Sequence, residues 1–180
     1  MKVVAIVGMA GAGKSEVAGV FEEHGFKRVR FGDITDQELE RRGLEANEEN
    51  ERHIRQQLRS EHGMAAYAQL NLHRIDDSLN SSDVVIDGLY SWEEHVFLKE
   101  YYGGQFTTVA IWASPATRYA RLARRAVRAL KPEEAAGRDR SEIESINKGG
   151  PIAMADFTIV NEGSLEQLRK GAGRIISSLQ

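Results

Sequence analysis

Short apolar runs alternate with longer amphipathic stretches along the whole chain. Five runs have the length and composition of β-strands, and they span residues 2–7, 27–31, 83–87, 106–112 and 157–160. The stretches between them have helical spacing, and strands separated by helices imply right-handed crossovers into a parallel sheet. The pattern therefore predicts an α/β fold with three layers, in which helices cover both faces of a five-stranded parallel sheet.

Single residues place several of the helix ends. A helix over residues 14–24 is expected to end at Gly25, because glycine suits the left-handed position after a helix. The tetrads 91–94 and 164–167 are capping boxes, and the second opens a helix that runs nearly to residue 180. Pro115 suits the first turn of another helix.

Residues 35–80 are polar and helical, with breaks at Gly43 and near residues 61–63. Their apolar positions form narrow stripes, so these helices are expected to pack on one side only. A charged segment that contains a proline follows the Pro115 helix and includes Arg138-Asp139-Arg140.

Composition limits the class of protein. At 180 residues, the chain is expected to form one domain with a sizeable core. A net charge of −3 gives no general attraction to nucleic acid or anionic membranes, and the absence of cysteine excludes disulfides and thiolate chemistry. No apolar run reaches the ~20 residues of a membrane span, and the N-terminal apolar run leads directly into a glycine-rich motif. We therefore expect a cytoplasmic protein.

The glycine-rich motif is the stretch Gly8-Met9-Ala10-Gly11-Ala12-Gly13-Lys14-Ser15, which matches G-x-x-x-x-G-K-[ST] at every fixed position. It lies between a strand and a helix, the context in which such loops bind phosphate. Glycines let successive backbone N–H groups converge, Lys14 supplies charge for the β- and γ-phosphates, and Ser15 offers a hydroxyl to Mg²⁺. The alternative is a glycine-rich structural turn.

Two acidic residues come at strand ends, where the sites of such folds lie. Asp87 ends the third strand, where an acid can hold Mg²⁺ or orient an acceptor; alternatively, it caps the following turn. Asp33 follows the second strand, where an acid can take the proton of an acceptor hydroxyl; alternatively, it caps a helix near Thr35. We hypothesise that both are catalytic and that Asp87 is also a metal ligand.

A stripe of arginines follows Pro115. Its members fall three or four positions apart and are Arg118, Arg121, Arg125 and Arg128, with Arg124 beside them. Arginine forks match phosphate oxygens, and phosphoryl transfer is accelerated by cations that close over the transferred group. The alternative is a solvated helix face, which is what most charge stripes are.

These motifs together resemble the P-loop nucleotide kinases of the adenylate kinase and dephospho-CoA kinase group, and the compact, largely archaeal adenylate-kinase-related proteins most closely. The resemblance runs nearly end to end. Besides the phosphate loop, it rests on the ordered motifs Phe31-Gly32-Asp33, Val85-Ile86-Asp87-Gly88, Ala113-Ser114-Pro115-x-x-Arg118, Arg138-Asp139 and the segment 155–163. The phosphate loop is specific, whereas the other motifs are informative mainly in their order.

The resemblance implies a single P-loop kinase domain with its core in residues 1–34, 81–124 and 151–180, a helical acceptor-binding insert at about 35–80 and an arginine-rich lid at about 125–150. It implies ATP and Mg²⁺ as the bound groups. The catalytic residues would be Lys14, Asp33, Asp87, Arg121 and Arg125, and the metal ligands Ser15 and Asp87. The nucleotide would be bound by Gly8, Ala10, Gly11, Ala12, Gly13, Lys14, Ser15, Glu16, Arg118 and Asn161, with adenine near residues 161–164.

One departure from the family pattern concerns the acceptor. Nucleoside monophosphate kinases usually have an arginine just after the Gly-Asp turn, where this chain has residues 34–37 without one. Arg41, Arg42 or Arg74 could take its place. The acceptor is therefore expected to be nucleotide-like, of the nucleoside monophosphate or dephospho-CoA type, without being identified.

Two other functions compete with ATP-dependent phosphotransfer. The first is a nucleotide-dependent switch, either a GTPase or a regulatory ATPase. A GTPase would require a guanine-reading Asn-Lys-x-Asp, and the nearest string, 147–150, lacks the aspartate. A non-catalytic nucleotide-binding protein on the same fold stays open because the usual acceptor arginine is missing. The expected partners are small-molecule nucleotide substrates, without nucleic acid or membrane, and the expected assembly is a monomer or homodimer.

Overall fold

The computed structural model describes residues 1–126 and 129–179. Five parallel strands form its sheet in the order β2-β3-β1-β4-β5. The strands are β1 (Val3–Val7), β2 (Lys27–Arg30), β3 (Val84–Asp87), β4 (Phe106–Trp112) and β5 (Phe157–Val160). Helices pack on both faces of the sheet, so the predicted three-layer α/β/α fold is confirmed.

The helices of the described chain lie between the strands, except the last, which follows β5. They are α1 (Lys14–Glu23), α2 (Asp33–Arg42), α3 (Glu48–His62), α4 (Ala66–Leu79), α5 (Trp92–Tyr102), α6 (Pro115–Ala123), α7 (Pro132–Glu144), α8 (Gly149–Ala153) and α9 (Leu165–Leu179). Helices α2, α3 and α4 occupy the region proposed as the acceptor insert. The segment proposed as the lid contains α7, which the sequence did not predict as a helix.

Alternation along β1 divides the core into two layers. Val4 and Ile6 face the layer that contains α1 and α9, whereas Val3, Ala5 and Val7 face the layer that contains α4 and α5. All five residues are fully buried, as expected for a central strand covered on both faces.

Strand register brings the predicted site residues to one edge of the sheet. Ile6 of β1 lies opposite Asp87 of β3, and Asp87 lies opposite Arg30 of β2. The loop after β1, the end of β3 and the start of α2 therefore meet at the carboxyl edge. This is the edge at which parallel α/β sheets bind ligands.

Several boundaries differ slightly from the predicted ones. Helix α1 ends at Glu23, one residue before the predicted end, and β2 ends at Arg30, one residue early. Both predicted capping boxes are confirmed, since Ser91 and Glu94 exchange hydrogen bonds, as do Ser164 and Gln167. In the part of the chain that the structure describes, no helix is long and apolar enough to cross a membrane.

Candidate functional site

The phosphate loop follows β1 and requires glycine at both of its ends. Gly8 has φ +154°, and a Cβ there would lie 2.4 Å from the carbonyl oxygen of Ile111 in β4. Gly13 has φ +105°, and a Cβ there would lie 2.5 Å from Nδ2 of Asn161. A side chain at Gly8 would clash with the backbone of β4 and one at Gly13 with the Asn161 side chain, so the loop packs as a bare backbone against β4 and the segment after β5. Gly11 lies between them with φ +81°.

The first turn of α1 presents backbone donors above this loop. The first N–H groups of a helix have no intrahelical partner and mark its positive end, which favours an anion there. Ser15 and Glu16 lie in this turn and are exposed, whereas Ala10 and Ala12 are buried in the loop. The geometry suits a bound phosphate chain.

Lys14 folds back over the loop. Its Nζ donates to the carbonyl oxygens of Gly8 at 2.9 Å and Met9 at 3.2 Å. Desolvation by the surrounding protein, followed by the charge of Lys148, lowers the pKa of Lys14 to about 7, although Glu142 and Asp87 act in the opposite direction. The ammonium therefore lacks a strong anionic partner of its own.

Asp87 is the last residue of β3 and is 5% exposed. One of its oxygens accepts a hydrogen bond from Arg28 of β2, and its charge reaches Lys14. The described residues contain no group of three or more His, Asp or Glu side chains that could hold a metal. A Mg²⁺ ion bound through one carboxylate, a serine hydroxyl and substrate phosphates would need no such group. The metal role of Ser15 and Asp87 stays a prediction.

Asp33 is the first residue of α2. The alternative that it caps this helix is wrong, because Gly32 occupies the N-cap position without a side-chain bond. The Asp33 carboxylate instead accepts from Arg30 at 3.0 Å and from Arg74 at 2.7 Å. Asn71 also holds Arg74. Arginines on two elements thus orient a half-exposed carboxylate at the edge where β2 ends.

Arg118 lies under the phosphate loop. Its guanidinium donates twice to the Asp139 carboxylate of α7, at 2.8 and 2.6 Å, and also to the Ala10 carbonyl oxygen at 3.2 Å. The side chain is 4% exposed. Arg118 therefore joins α6 and α7 to the loop backbone. Its predicted direct contact with nucleotide stays a prediction.

The other arginines of the stripe differ in environment. Arg121 donates to the carbonyl oxygen of Asn161 at 3.0 Å, and its buried Nη1 finds no hydrogen-bond partner in the described chain. Arg125 lies beyond the end of α6 and is exposed. Arg128 lies outside the described residues. The prediction that one helix face carries the whole stripe is wrong, because α6 ends at Ala123 and holds only Arg118 and Arg121 of the described members.

Asn161 joins the segment after β5 to the phosphate loop. It is 6% exposed, and its Nδ2 donates to the Ala12 carbonyl oxygen at 2.8 Å. Since Arg121 donates to its carbonyl oxygen, Asn161 also brings the Arg121 guanidinium beside the loop. The predicted role of Asn161 in nucleotide binding is compatible with this position and stays a prediction.

Sequence reasoning missed a buried charged cluster next to Lys14. The Glu142 carboxylate of α7 accepts from Nζ of Lys148 at 2.9 Å and from Nε of Arg138 at 3.2 Å. The ammonium of Lys148 also lies 5.3 Å from the centre of the Tyr90 ring. Lys148 lies in the string 147–150, whose local pattern gives no signal of this burial.

The arginines proposed as acceptor ligands have other partners. Arg41 and Arg42 both bind Glu38, and Arg74 binds Asp33. Arg59 of α3 instead lies over the Tyr67 ring at 5.2 Å, with its buried Nε unpaired among the described residues.

Known proteins resemble this chain in sequence over nearly its whole length. A family model described as an AAA domain matches residues 4–147. A UPF0200 protein of Hyperthermus butylicus is 35% identical over 180 residues, covering 98% of this chain and 94% of the relative. A UPF0200 protein of Thermococcus kodakarensis is 37% identical over 186 residues, covering 98% of this chain and 100% of the relative. The chain belongs to the UPF0200 family of AAA-domain proteins.

Solved structures show the fold of this UPF0200 chain. The protein TT1252 from Thermus thermophilus superposes with a TM-score of 0.69 at 19% identity, covering 99% of this chain and 98% of that one. A shikimate kinase from Acinetobacter baumannii in complex with shikimate gives 0.60 at 16% identity, covering 99% and 94%. A dephospho-CoA kinase from Campylobacter jejuni gives 0.58 at 14%, covering 99% and 97%. The UPF0200 chain therefore has a P-loop kinase fold.

We expect nucleotide binding to the UPF0200 chain to take up a proton. At about pH 8.5, a lysine whose pKa is about 7 is mostly neutral. Phosphate anions beside Nζ favour its charged form and raise that pKa, so about one proton should be taken up per ATP bound. Calorimetry in two buffers with different ionisation enthalpies measures this number. Lys14→Met should bind ATP without the uptake, and equal uptake by this variant would contradict the assignment.

Proposed function

We propose that this protein transfers the γ-phosphoryl group of Mg·ATP to an oxygen of a small, nucleotide-like acceptor. The bond between the γ-phosphorus and the β–γ bridging oxygen breaks, and a bond from the γ-phosphorus to the acceptor oxygen forms. ADP leaves with the bond electrons, and the acceptor proton passes to a carboxylate. Such a transition state is stabilised by positioning and charge rather than by covalent chemistry of the protein.

The observation that supports this proposal most strongly is the meeting of Lys14 and Asp33 at one edge of the sheet. Lys14 lies on the phosphate loop after β1, and Asp33 follows β2, with the end of β3 between them. A phosphate donor and an acceptor hydroxyl can therefore approach each other across the end of β3.

Each residue has a specific role in the proposal. Lys14 neutralises the moving phosphoryl group, and Asp33, oriented by Arg30 and Arg74, accepts the acceptor proton. Nη1 of Arg121, which has no hydrogen-bond partner among the described residues, contacts phosphate, and Arg125 closes over the donor. A bound Mg²⁺ ion, held by Ser15 and Asp87, would neutralise phosphate charge.

Helices α2–α4 would form the acceptor insert and the segment containing α7 the lid. Asn161 would hold the adenine side of the donor beside Ala12. Arg118 keeps the loop and α7 together through Ala10 and Asp139.

Two cations held over tyrosine rings favour an anionic acceptor. Arg59 lies over Tyr67, whose ring contacts that of Tyr90 at a centroid distance of 5.3 Å. Tyr90 in turn lies under the ammonium of Lys148. Tyr67 is fully buried, so these rings support the two cations and do not contact the acceptor themselves. Cations placed in this way suit an acceptor that carries a phosphate or carboxylate besides its reacting hydroxyl.

The test is ADP release across acceptors sorted by charge. Nucleoside monophosphates, dephospho-CoA and shikimate carry an anionic group, whereas nucleosides and neutral sugars do not. We expect release above the no-acceptor blank with an anionic acceptor only.

Arg59→Met should raise the KM for that acceptor about 10- to 100-fold with a small change in kcat, because a charged contact is lost. Arg52→Met, on an exposed turn of α3, is the matched control. Signal with neutral acceptors alone would contradict the anionic class, and no signal with any acceptor would contradict the kinase proposal.

A further inference from the structure

The cations near the phosphate loop outnumber the acids that face them. The charges of Lys148 and Arg138 both lower the pKa of Lys14, so the three cations lie close together. The carboxylate that interacts with all three is Glu142. Glu142 accepts hydrogen bonds from Lys148 and Arg138. Among the described residues, the hydrogen bonds of Lys14 go only to carbonyl groups of the loop.

The other acids within reach have partners of their own. Asp87 is bound by Arg28. Glu48, which lies 3.6 Å from Arg138, accepts from Arg55 at 2.8 Å. The cluster therefore has an excess of positive charge at the place where the loop would hold phosphate, and an additional anion would relieve it.

Lys148 is buried to an unusual degree for a lysine. It is 1% exposed, and buried ammonium groups are costly unless they are paired. Burial raises the pKa of its carboxylate partner, Glu142. The charges of Lys148, Lys14 and Arg138, in that order, outweigh this effect and lower the pKa of Glu142 to about 2. The Glu142 carboxylate is therefore charged at neutral pH.

The backbone positions Lys148 rigidly. Asn147 adopts φ +52°, the left-handed region that asparagine tolerates, and its side chain donates to Glu93 at 3.2 Å. The backbone N–H of Lys148 donates to the Glu142 carbonyl oxygen at 3.1 Å. At Gly150, a Cβ would lie 2.7 Å from the Trp92 ring, so α8 packs closely on α5. These contacts fix where the Lys148 ammonium points.

We propose that Lys148 is a catalytic residue that contacts the transferred phosphoryl group together with Lys14 and Arg138, and that the Glu142 carboxylate takes the place of this group when no nucleotide is bound. Glu142 is a positioning residue in this scheme. It holds Lys148 and Arg138 in place until phosphate oxygens replace its carboxylate as their partner. This inference rests on the proposed phosphotransfer and adds a lysine and its carboxylate stand-in to that site.

The test is the affinity of the full chain for Mg²⁺-tripolyphosphate, measured by calorimetry. We expect Lys148→Met to weaken binding about 10- to 100-fold, because a charge-assisted hydrogen bond is lost. Glu142→Gln should tighten binding, because a competing anion is removed. Lys170→Met is the control, since Lys170 is exposed on α9 and pairs with Glu166 there. Binding by Lys148→Met equal to wild type would overturn the phosphoryl contact, and weaker binding by Glu142→Gln would overturn the stand-in.

A double variant separates this role from simple stabilisation. Removing one partner of a buried pair is destabilising, whereas replacing both by apolar groups is often neutral. Lys148→Met with Glu142→Met should therefore have a higher melting temperature than Lys148→Met alone, with Glu48 left as the partner of Arg138 at 3.6 Å, and still bind tripolyphosphate weakly. If the pair were only structural, the double variant would recover wild-type affinity. Absence of turnover in the wild type with every acceptor would contradict the kinase proposal and leave this binding result standing.

Discussion

Lys14→Met should abolish most phosphoryl transfer while leaving the fold intact. We expect kcat with a productive acceptor to fall about 100- to 1,000-fold, as when a single preorganised group that stabilises transition-state charge is lost. Stability should not fall, because the ammonium is desolvated and its pKa is lowered to about 7. Steady-state kinetics and thermal unfolding of the same preparation measure both effects.

The pH dependence of stability gives this prediction a second check. Between about pH 7 and 10.5, the unfolded chain keeps the Lys14 proton that the folded chain has lost. The contribution of Lys14 to the free energy of unfolding of the wild type therefore rises with pH in this range. The gain in stability from Lys14→Met should therefore be largest below about pH 7 and vanish toward pH 10.5. Lys170→Met, on the exposed face of α9, should change neither activity nor this profile. Retained transfer by Lys14→Met would contradict its role.

Asp33→Asn should have the second largest effect. An amide cannot accept the acceptor proton, and loss of a positioned general base typically costs about 100- to 10,000-fold in rate. The amide oxygen can still accept from Arg74, and the ion pairs of Asp33 are partly exposed, so stability should change little. We expect kcat to fall while the affinity for ATP stays within about twofold.

Asp36→Asn is the matched control for this variant. Asp36 lies one turn further along α2, pairs with Arg30 at 2.6 Å and is exposed. It shares the ion-pair network of Asp33 without being the residue at the start of the helix. Equal losses in the two variants would show that the network acts as a whole and would contradict a base at Asp33.

The fold was predictable because most of its strands are short apolar runs, although β2, with the sequence Lys-Arg-Val-Arg, is not. The runs at β1 and β3 are rich in valine and isoleucine and buried on both faces, so composition alone identified them. The phosphate loop was predictable for a different reason. Its glycines serve backbone geometry, as Gly8 and Gly13 show by their close approach to β4 and Asn161. The strand-end positions of Asp33 and Asp87 then followed from the parallel sheet.

The charged cluster around Lys148 was not predictable from local pattern. Burial of this lysine depends on the left-handed backbone conformation of Asn147 and on close packing of Gly150 against Trp92. Both are tertiary features. The arginine stripe shows the same limit. Helical spacing placed Arg118 and Arg121 on one face, but Asp139, which binds Arg118, lies 21 residues further along the chain.

The most direct test of the account follows the phosphoryl group itself. The wild-type protein is mixed with Mg²⁺, an anionic acceptor and ATP that carries a radioactive γ-phosphate, and the products are separated. The account predicts that the label appears in the phosphorylated acceptor in amounts equal to the ADP formed. Label found only in inorganic phosphate, with a rate independent of acceptor, would contradict it and indicate a nucleotide hydrolase instead.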